Sequence, residues 1–415
     1  MTRPHSIRLP LRRTRTSGAG LGWETLHSGL LLAAALLALL LSAPALLAQE
    51  VVQALPPEWD RTLADFGARL SGEVSEDQVG GIVVGVAVDG DLVWARGFGW
   101  GDREGRVPMA TSALLRTGSI SKSVTAVLLM RLVDRGVVGL DDPVERWLPE
   151  ALELAGPIPG AEPVTLRRLA SHTAGLIREP ELDDAATGPI LGWEEKVLAS
   201  IPTTSFHGPP GEGYLYSNIG FGILGLALSR AAGRPYMELV EEEIFRPLGM
   251  TGSTFVVDEE LLPRLAAGYQ NGPGGDIDAE TPAREHLGRG YKVPNGGVYS
   301  TVADLGRFAG AVSGVPGLRI LSEGSRQEML QIQTPESPEQ GYGLGFSIRL
   351  DPGEGRLVSH GGSVSGYTAH LALDPDARIA VVLLRNYARG GTNLGEAAAG
   401  LVRELVHSLQ EVPPP

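Results

Sequence analysis

Two stretches at opposite ends of this chain share one pattern, and that pairing constrains the fold more than any other feature. Near the N-terminal end, "GIVVGVAVDGDLVWARGFGWGD" (81–102) holds two β-rich runs flanking Asp89-Gly90, a dipeptide suited to a tight hairpin turn. From about Gly341, "GYGLGFSIRL", "RLVSHGG", "YTAHLALDP" and "RIAVVLLRN" read as successive antiparallel strands with short turns. Residues 140 to about 290 carry helical patterns broken by Pro and Gly, clearest in "SNIGFGILGLALSRAAG" and "YMELVEEEIFRPLGM". The economical arrangement is α+β: one antiparallel sheet built from both ends of the chain. Helices near Pro57–Leu70 and Asn393–Leu409 cover it, and the helical block forms a second lobe. A cleft between the lobes is the natural place for a site. Gly97, Gly99 and Gly101 end a strand with no Walker lysine after them, so they read as turn and packing glycines.

The first 48 residues stand apart. A basic start (Arg3, Arg8, Arg12, Arg13, Arg15) precedes the apolar run Leu30–Leu41, and small residues follow at Ala43, Ala45 and Ala48. That order reads as an export signal. The alternative is an uncleaved membrane anchor over residues 30–48, which approach the ~20 residues needed to span a bilayer. Either way, residues 49–415 form the working domain, on the periplasmic or extracellular side. The formal net charge of −14 excludes nucleic acid as a partner, because an acidic surface repels phosphate backbones. Cysteine is absent, which excludes a thiol nucleophile, disulfides and Cys-ligated zinc. The histidines show no metal-ligand spacing, so neither a metal nor another cofactor is expected.

Lysine is nearly absent too. Of 35 basic residues only Lys122, Lys196 and Lys292 are lysine, and one of them lies three residues after Ser119 in "RTGSISKSVTA". Residues three apart on a helix share a face, so Lys122 can reach the Ser119 oxygen. A buried lysine can lose its proton and serve as a base, whereas arginine effectively cannot. The bland alternative is that Ser119 caps the helix and Lys122 is solvated. Two later stretches bear on that choice. Tyr216-Ser217-Asn218 sits in a Pro/Gly-rich loop before a helix and offers a phenol and an amide. His360-Gly361-Gly362-Ser363 ends a strand where glycines let a substrate approach the backbone.

These three stretches, in this order, resemble the serine β-lactamase and penicillin-binding-protein superfamily, with its motifs Ser-x-x-Lys, Tyr-x-Asn and Lys-Thr-Gly. More closely, the chain resembles the class C-like branch of esterases, D-aminopeptidases and mitochondrial β-lactamase-like proteins. "LASHTAGL", "IFRPLGM" and "GGVYSTVADLGRF" extend the likeness over roughly Pro57 to Leu409. The resemblance implies a β-lactamase/transpeptidase-like fold and a Ser119 nucleophile. Lys122 and Tyr216 would handle its proton, with either as the base. The backbone N–H groups of Ser119 and Ser363 would form the oxyanion hole, and Asn218, His360, Gly362 and Ser363 would bind substrate. His172 lies in "SHTAGL" and reads as a residue that ties down a loop.

One departure shapes the functional expectation. His360 stands where the family's third motif carries lysine, and histidine is largely neutral at pH 7. Arg389 could replace that charge if the loop after Asn386 folds inward. The expected activity is hydrolysis of an ester or amide in a small-molecule or peptide-like substrate through an acyl-enzyme. Two alternatives stand beside it: a β-lactamase or D,D-peptidase of cell-wall metabolism, and a non-catalytic ligand-binding scaffold.

Overall fold

The computed structural model describes residues 49–51, 55–156, 158–272, 274–334, 337–351 and 355–410. The expected leader, residues 1–48, lies outside them. Among the described residues no helix is long and apolar enough to cross a membrane.

The N-terminal strands are β1 (Gln49–Val51), β2 (Gly81–Val88), β3 (Asp91–Asp102) and β4 (Val107–Pro108). Two short ladders follow: β5 (Leu115–Arg116) with β8 (Tyr299–Ser300), and β6 (Gln270–Asn271) with β7 (Ile277–Asp278). The C-terminal strands are β9 (Gln340–Tyr342), β10 (Ser347–Asp351), β11 (Gly355–Val364), β12 (Tyr367–Asp374) and β13 (Ile379–Arg385). Both ends join one nine-stranded antiparallel sheet in the order β1-β3-β2-β13-β12-β11-β10-β9, with β4 beside β3. The β2–β3 hairpin turns at Asp89 (φ 50°) and Gly90 (φ 81°), two left-handed residues whose twist matches that of the flanking strands.

The seam between the chain ends is β2 against β13, in register from Ile82↔Arg385 to Val88↔Ile379. Both strands are buried along nearly their whole length, which explains why "GIVVGVAV" and "IAVVLLR" are continuous apolar runs with no polar alternation. The pleat still sorts their side chains. Ile82, Val84, Val86, Val381 and Leu383 pack with Trp59, Phe66, Leu401 and Leu405 of the terminal helices Pro57–Asp77 and Leu394–Gln410. Val83, Ala87, Val382 and Leu384 face the other core, with the helices Ile120–Asp134 and Val302–Val312. The helical region holds the buried helix Asn218–Ala232 and continues beyond residue 290 through Val302–Val312 and Glu323–Met329.

The Ile120–Asp134 helix has no hydrophobic stripe because it is buried on nearly every side, between the sheet and the helical region. At the end of β13, the buried Asn386 side chain ties three segments together. Its Oδ1 accepts the Gly81 N–H at 2.7 Å. Its Nδ2 lies near the carbonyls of Ala267 (2.7 Å), Trp100 (3.0 Å) and Gly101 (3.1 Å). Replacing it with alanine strands these groups away from water. Asn386→Ala is expected to cost roughly 2–4 kcal/mol in urea unfolding, while a loss under 0.5 kcal/mol would show that the seam does not need this amide.

Candidate active site

Ser119 is presented by a turn held from both sides. Upstream, Arg116 pairs with Tyr299, and the Thr117 N–H and hydroxyl both donate to Val298 O, at 3.0 and 2.9 Å. Gly118 (φ 54°) then swings the chain into the helix beginning at Ile120. Ser119 occupies the N-cap position but makes no side-chain capping bond, so its hydroxyl is not spent on the helix. The following residues clamp the helix to its surroundings. Ser121 Oγ accepts from Val298 N, Ser123 Oγ donates to Gly345 O at 2.6 Å, and Thr125 Oγ1 bonds the Tyr236 hydroxyl at 2.7 Å.

Lys122 is fully buried, with 0% of its surface exposed. Its Nζ lies 3.1 Å from Ser119 Oγ, 2.7 Å from Asn218 Oδ1 and 3.2 Å from Asn295 O. It also lies over the rings of Tyr216 (4.7 Å) and Phe221 (5.7 Å). Burial pushes the amine well below its ordinary pKa. The charges of Arg178 and Lys292 push it the same way, and Glu179 opposes them. A neutral amine has two N–H bonds and one lone pair. With two carbonyl oxygens taking the N–H bonds, the lone pair is left for the Ser119 hydroxyl. Solvation of Lys122, the bland alternative, is ruled out by this burial.

Tyr216 is half-buried and bonds Ser119 through its hydroxyl. Burial raises its pKa, partly offset by that bond and by Arg178, whose guanidinium lies 4.8 Å from the ring. His172 holds the loop that carries this tyrosine. Its Nδ1 accepts the Ser217 N–H at 3.0 Å, and its carbonyl accepts the Leu215 N–H at 2.8 Å. Its ring lies 4.2 Å from Tyr216, 4.9 Å from Tyr342 and 5.0 Å from Phe221. Ser217 caps the next helix through the Gly220 N–H (3.0 Å), which puts Asn218 in the first helical turn with its amide toward Lys122.

The third stretch reaches the site along a strand edge. β11 pairs with β10 only as far as Ser359, so beyond it the edge is open to the Thr117–Ser119 turn. A Cβ on Gly362 would lie 1.9 Å from Thr117 O and 3.1 Å from Ser119 N, and one on Gly118 would lie 2.6 Å from Ser363 N. The contact therefore requires both glycines, and it brings the Ser119 and Ser363 backbone nitrogens close together. Ser363 itself is exposed.

His360 is buried and offers no free polar atom. Its Nε2 bonds the Tyr342 hydroxyl at 2.8 Å and its Nδ1 lies 2.6 Å from Gly361 O. Burial, with a smaller contribution from Lys122 in its protonated form, holds its pKa down to about 3, so the ring is neutral at physiological pH. Arg389 does not supply the missing charge. The loop after Asn386 turns the other way, where Tyr387 Oη and Gly391 N both bond Asp77, and Arg389 is exposed there.

Residues that motif reading missed complete the site. Glu179 accepts the Asn218 Nδ2 at 2.5 Å and a hydrogen bond from the Tyr291 hydroxyl, and Lys292 lies 3.6 Å from it. Arg178, Glu179 and Tyr291 stand in no motif spacing that marks them, and Lys292 stands out in the sequence only as one of three lysines. A cavity of about 590 Å³ adjoins the site at the sheet edge, lined by Tyr214, Gln340, Tyr342, Ser347, Arg349 and Ser359. Among the described residues no group of three or more His, Asp and Glu is placed to hold a metal ion.

Comparison with known proteins agrees with this architecture. The family model described as Beta-lactamase matches residues 59–403. The D-alanyl-D-alanine-carboxypeptidase/endopeptidase AmpH of Escherichia coli (strain K12) is 28% identical over 336 residues, 77% of this chain and 83% of that protein. The esterase EstB of Burkholderia gladioli is 29% identical over 387 residues, 81% of this chain and 94% of that protein. Among solved structures, the octameric penicillin-binding protein homologue from Pyrococcus abyssi aligns with a TM-score of 0.65 at 26% identity. That alignment covers 84% of this chain and 77% of the other. The fold is the expected α+β, β-lactamase/transpeptidase-like one, and the chain belongs to the beta-lactamase family of serine hydrolases.

Proposed function

We propose that this protein is an exported serine hydrolase that cleaves an ester or amide bond through an acyl-enzyme on Ser119. The observation carrying the proposal is the buried Lys122 amine, 3.1 Å from a Ser119 hydroxyl that caps nothing. Export rests on the leader pattern of residues 1–48.

In this reading Lys122, not Tyr216, is the base, because burial favours the neutral form of each and only the neutral amine has a basic lone pair. Lys122 takes the hydroxyl proton as Ser119 Oγ bonds to the substrate carbonyl carbon. The carbonyl π pair moves onto oxygen, where the Ser119 and Ser363 N–H groups stabilise it. Collapse breaks the bond to the leaving group, which receives the proton through the Tyr216 hydroxyl. Water then attacks the acyl carbon with the same base, releasing the acid and restoring Ser119. Asn218, Gly362 and Ser363 frame the reacting carbonyl, and His360 contributes a neutral wall.

That neutral wall favours ester and amide substrates over penicillin-type compounds, whose carboxylate is met by a fixed cation when the third motif carries lysine. The relatives named as an esterase and a carboxypeptidase fit this class of chemistry. The scaffold alternative gives no reason to bury a lysine with no carboxylate partner beside the Ser119 hydroxyl.

Three outcomes are expected. A fluorophosphonate should add once to residues 49–415 by intact mass and not to Ser119→Ala; a folded wild type that stays unlabelled would sink the hydrolase reading. The acylation rate should rise with pH as Lys122 loses its proton, with a midpoint well below the usual lysine value of about 10.4; a limb near that value would exclude Lys122 as a buried base. Gly362→Ala should slow acylation roughly 100-fold with the far-UV spectrum unchanged, since the methyl group pushes β11 off the Ser119 turn. Wild-type acylation in that variant would remove Ser363 from the oxyanion site.

A further inference from the structure

Asn218 has two chemically opposite ends, and the way its amide faces decides what Lys122 experiences. With Oδ1 toward Nζ, the amide accepts one lysine N–H, as the 2.7 Å contact requires. Flipped, it would present N–H bonds to the amine. These repel an ammonium and occupy the lone pair of a neutral amine, so the base is lost either way. Nothing in Asn218 itself selects the orientation. Its far end must be read by a partner that only accepts.

Glu179 is that partner. Its Oε1 takes the Asn218 Nδ2 at 2.5 Å, and its Oε2 takes the Tyr291 hydroxyl with Lys292 3.6 Å away. Burial works against its charge. The bonds from Tyr291 and Asn218 and the charges of Lys292 and Arg178 outweigh burial, so its pKa lies below the usual value. A carboxylate cannot donate, so only the NH₂ end of Asn218 can face it. The same helix start is fixed through the backbone, with Asn218 N bonded to Arg178 O at 2.8 Å and Asn218 O accepting from Asn295 Nδ2 at 3.1 Å.

We propose that Glu179 is a positioning residue for acyl transfer, its carboxylate locking the Asn218 amide so that the carbonyl oxygen faces Lys122. The proposal rests on the hydrolase reading above. Glu179 does not touch the reacting atoms; it acts through Asn218. It has a second, electrostatic effect. The charged groups acting on Lys122 are Arg178 and Lys292, which depress its pKa, and Glu179, which raises it; Tyr216, His172 and His360 are neutral neighbours. Removing the Glu179 charge therefore lowers the Lys122 pKa further and moves the acid limb of the rate profile to lower pH.

The test compares wild type, Glu179→Ala and Glu179→Gln, using fluorophosphonate acylation rates and p-nitrophenyl acetate kinetics from pH 5 to 10. Glu179→Ala frees the amide and should lower the acylation rate and kcat roughly 10- to 100-fold with little change in KM. Glu179→Gln keeps an acceptor oxygen for Asn218 but not the charge. It should lose less activity and shift the acid limb to lower pH, a change that a merely structural role would not produce. Thermal melts establish that each variant is folded. Wild-type rates and a wild-type pH limb in both folded variants would overturn the proposal while leaving the hydrolase reading intact. A wild type that is itself not acylated would overturn both.

Discussion

The structure turns on one buried amine. Lys122 loses all its hydration without gaining a carboxylate: among the described residues its hydrogen bonds go to a hydroxyl, an amide oxygen and a backbone carbonyl. A charged ammonium held this way is costly, so the environment favours the neutral base. Three separate pieces of chain must arrive within hydrogen-bond distance for this to work: the first turn of the Ile120–Asp134 helix, the start of the Asn218–Ala232 helix and the short helix Val293–Gly296 that carries Asn295. Displacing any one leaves polar groups unsatisfied at the centre of the molecule.

The frame that holds those pieces is the sheet. Its central strands come from opposite ends of the chain and are covered on both faces, which fixes β11 relative to the Ile120–Asp134 helix. β10 stops pairing at Ser359, and the edge it leaves open receives the Ser119 turn. The close approach at Gly118 and Gly362 thus links the sheet to the Ser119 turn through backbone alone. Such a contact is rigid, because backbone rather than mobile side chains sets its spacing.

Charge around the site is arranged unlike that of a lysine-bearing third motif. The strand side is neutral, because His360 is buried with both ring nitrogens engaged. The cations sit across the cleft, where Arg178 covers Tyr216 and Lys292 flanks Glu179. There the Glu179 carboxylate pairs with both, at 3.9 Å from Arg178 and 3.6 Å from Lys292.

Much of this was legible in the sequence. The continuous apolar runs of β2 and β13, the Asp-Gly hairpin and the helix after Tyr216-Ser217-Asn218 are local signals, and the structure realises them. The rarity of lysine singled out Lys122, because the chemistry of a deprotonatable amine is a property of residue type. Glu179, Asn295 and the neutral setting of His360 were not legible, since each depends on contacts between segments tens to hundreds of residues apart. The expectation for Arg389 fails for the same reason: Asp77, over 300 residues away, holds that loop. Residue types and short-range periodicity determined the reactive groups and the layers. Only tertiary packing decided which way an amide faces and whether an amine keeps its proton, because desolvation and hydrogen-bond geometry exist only once distant segments meet.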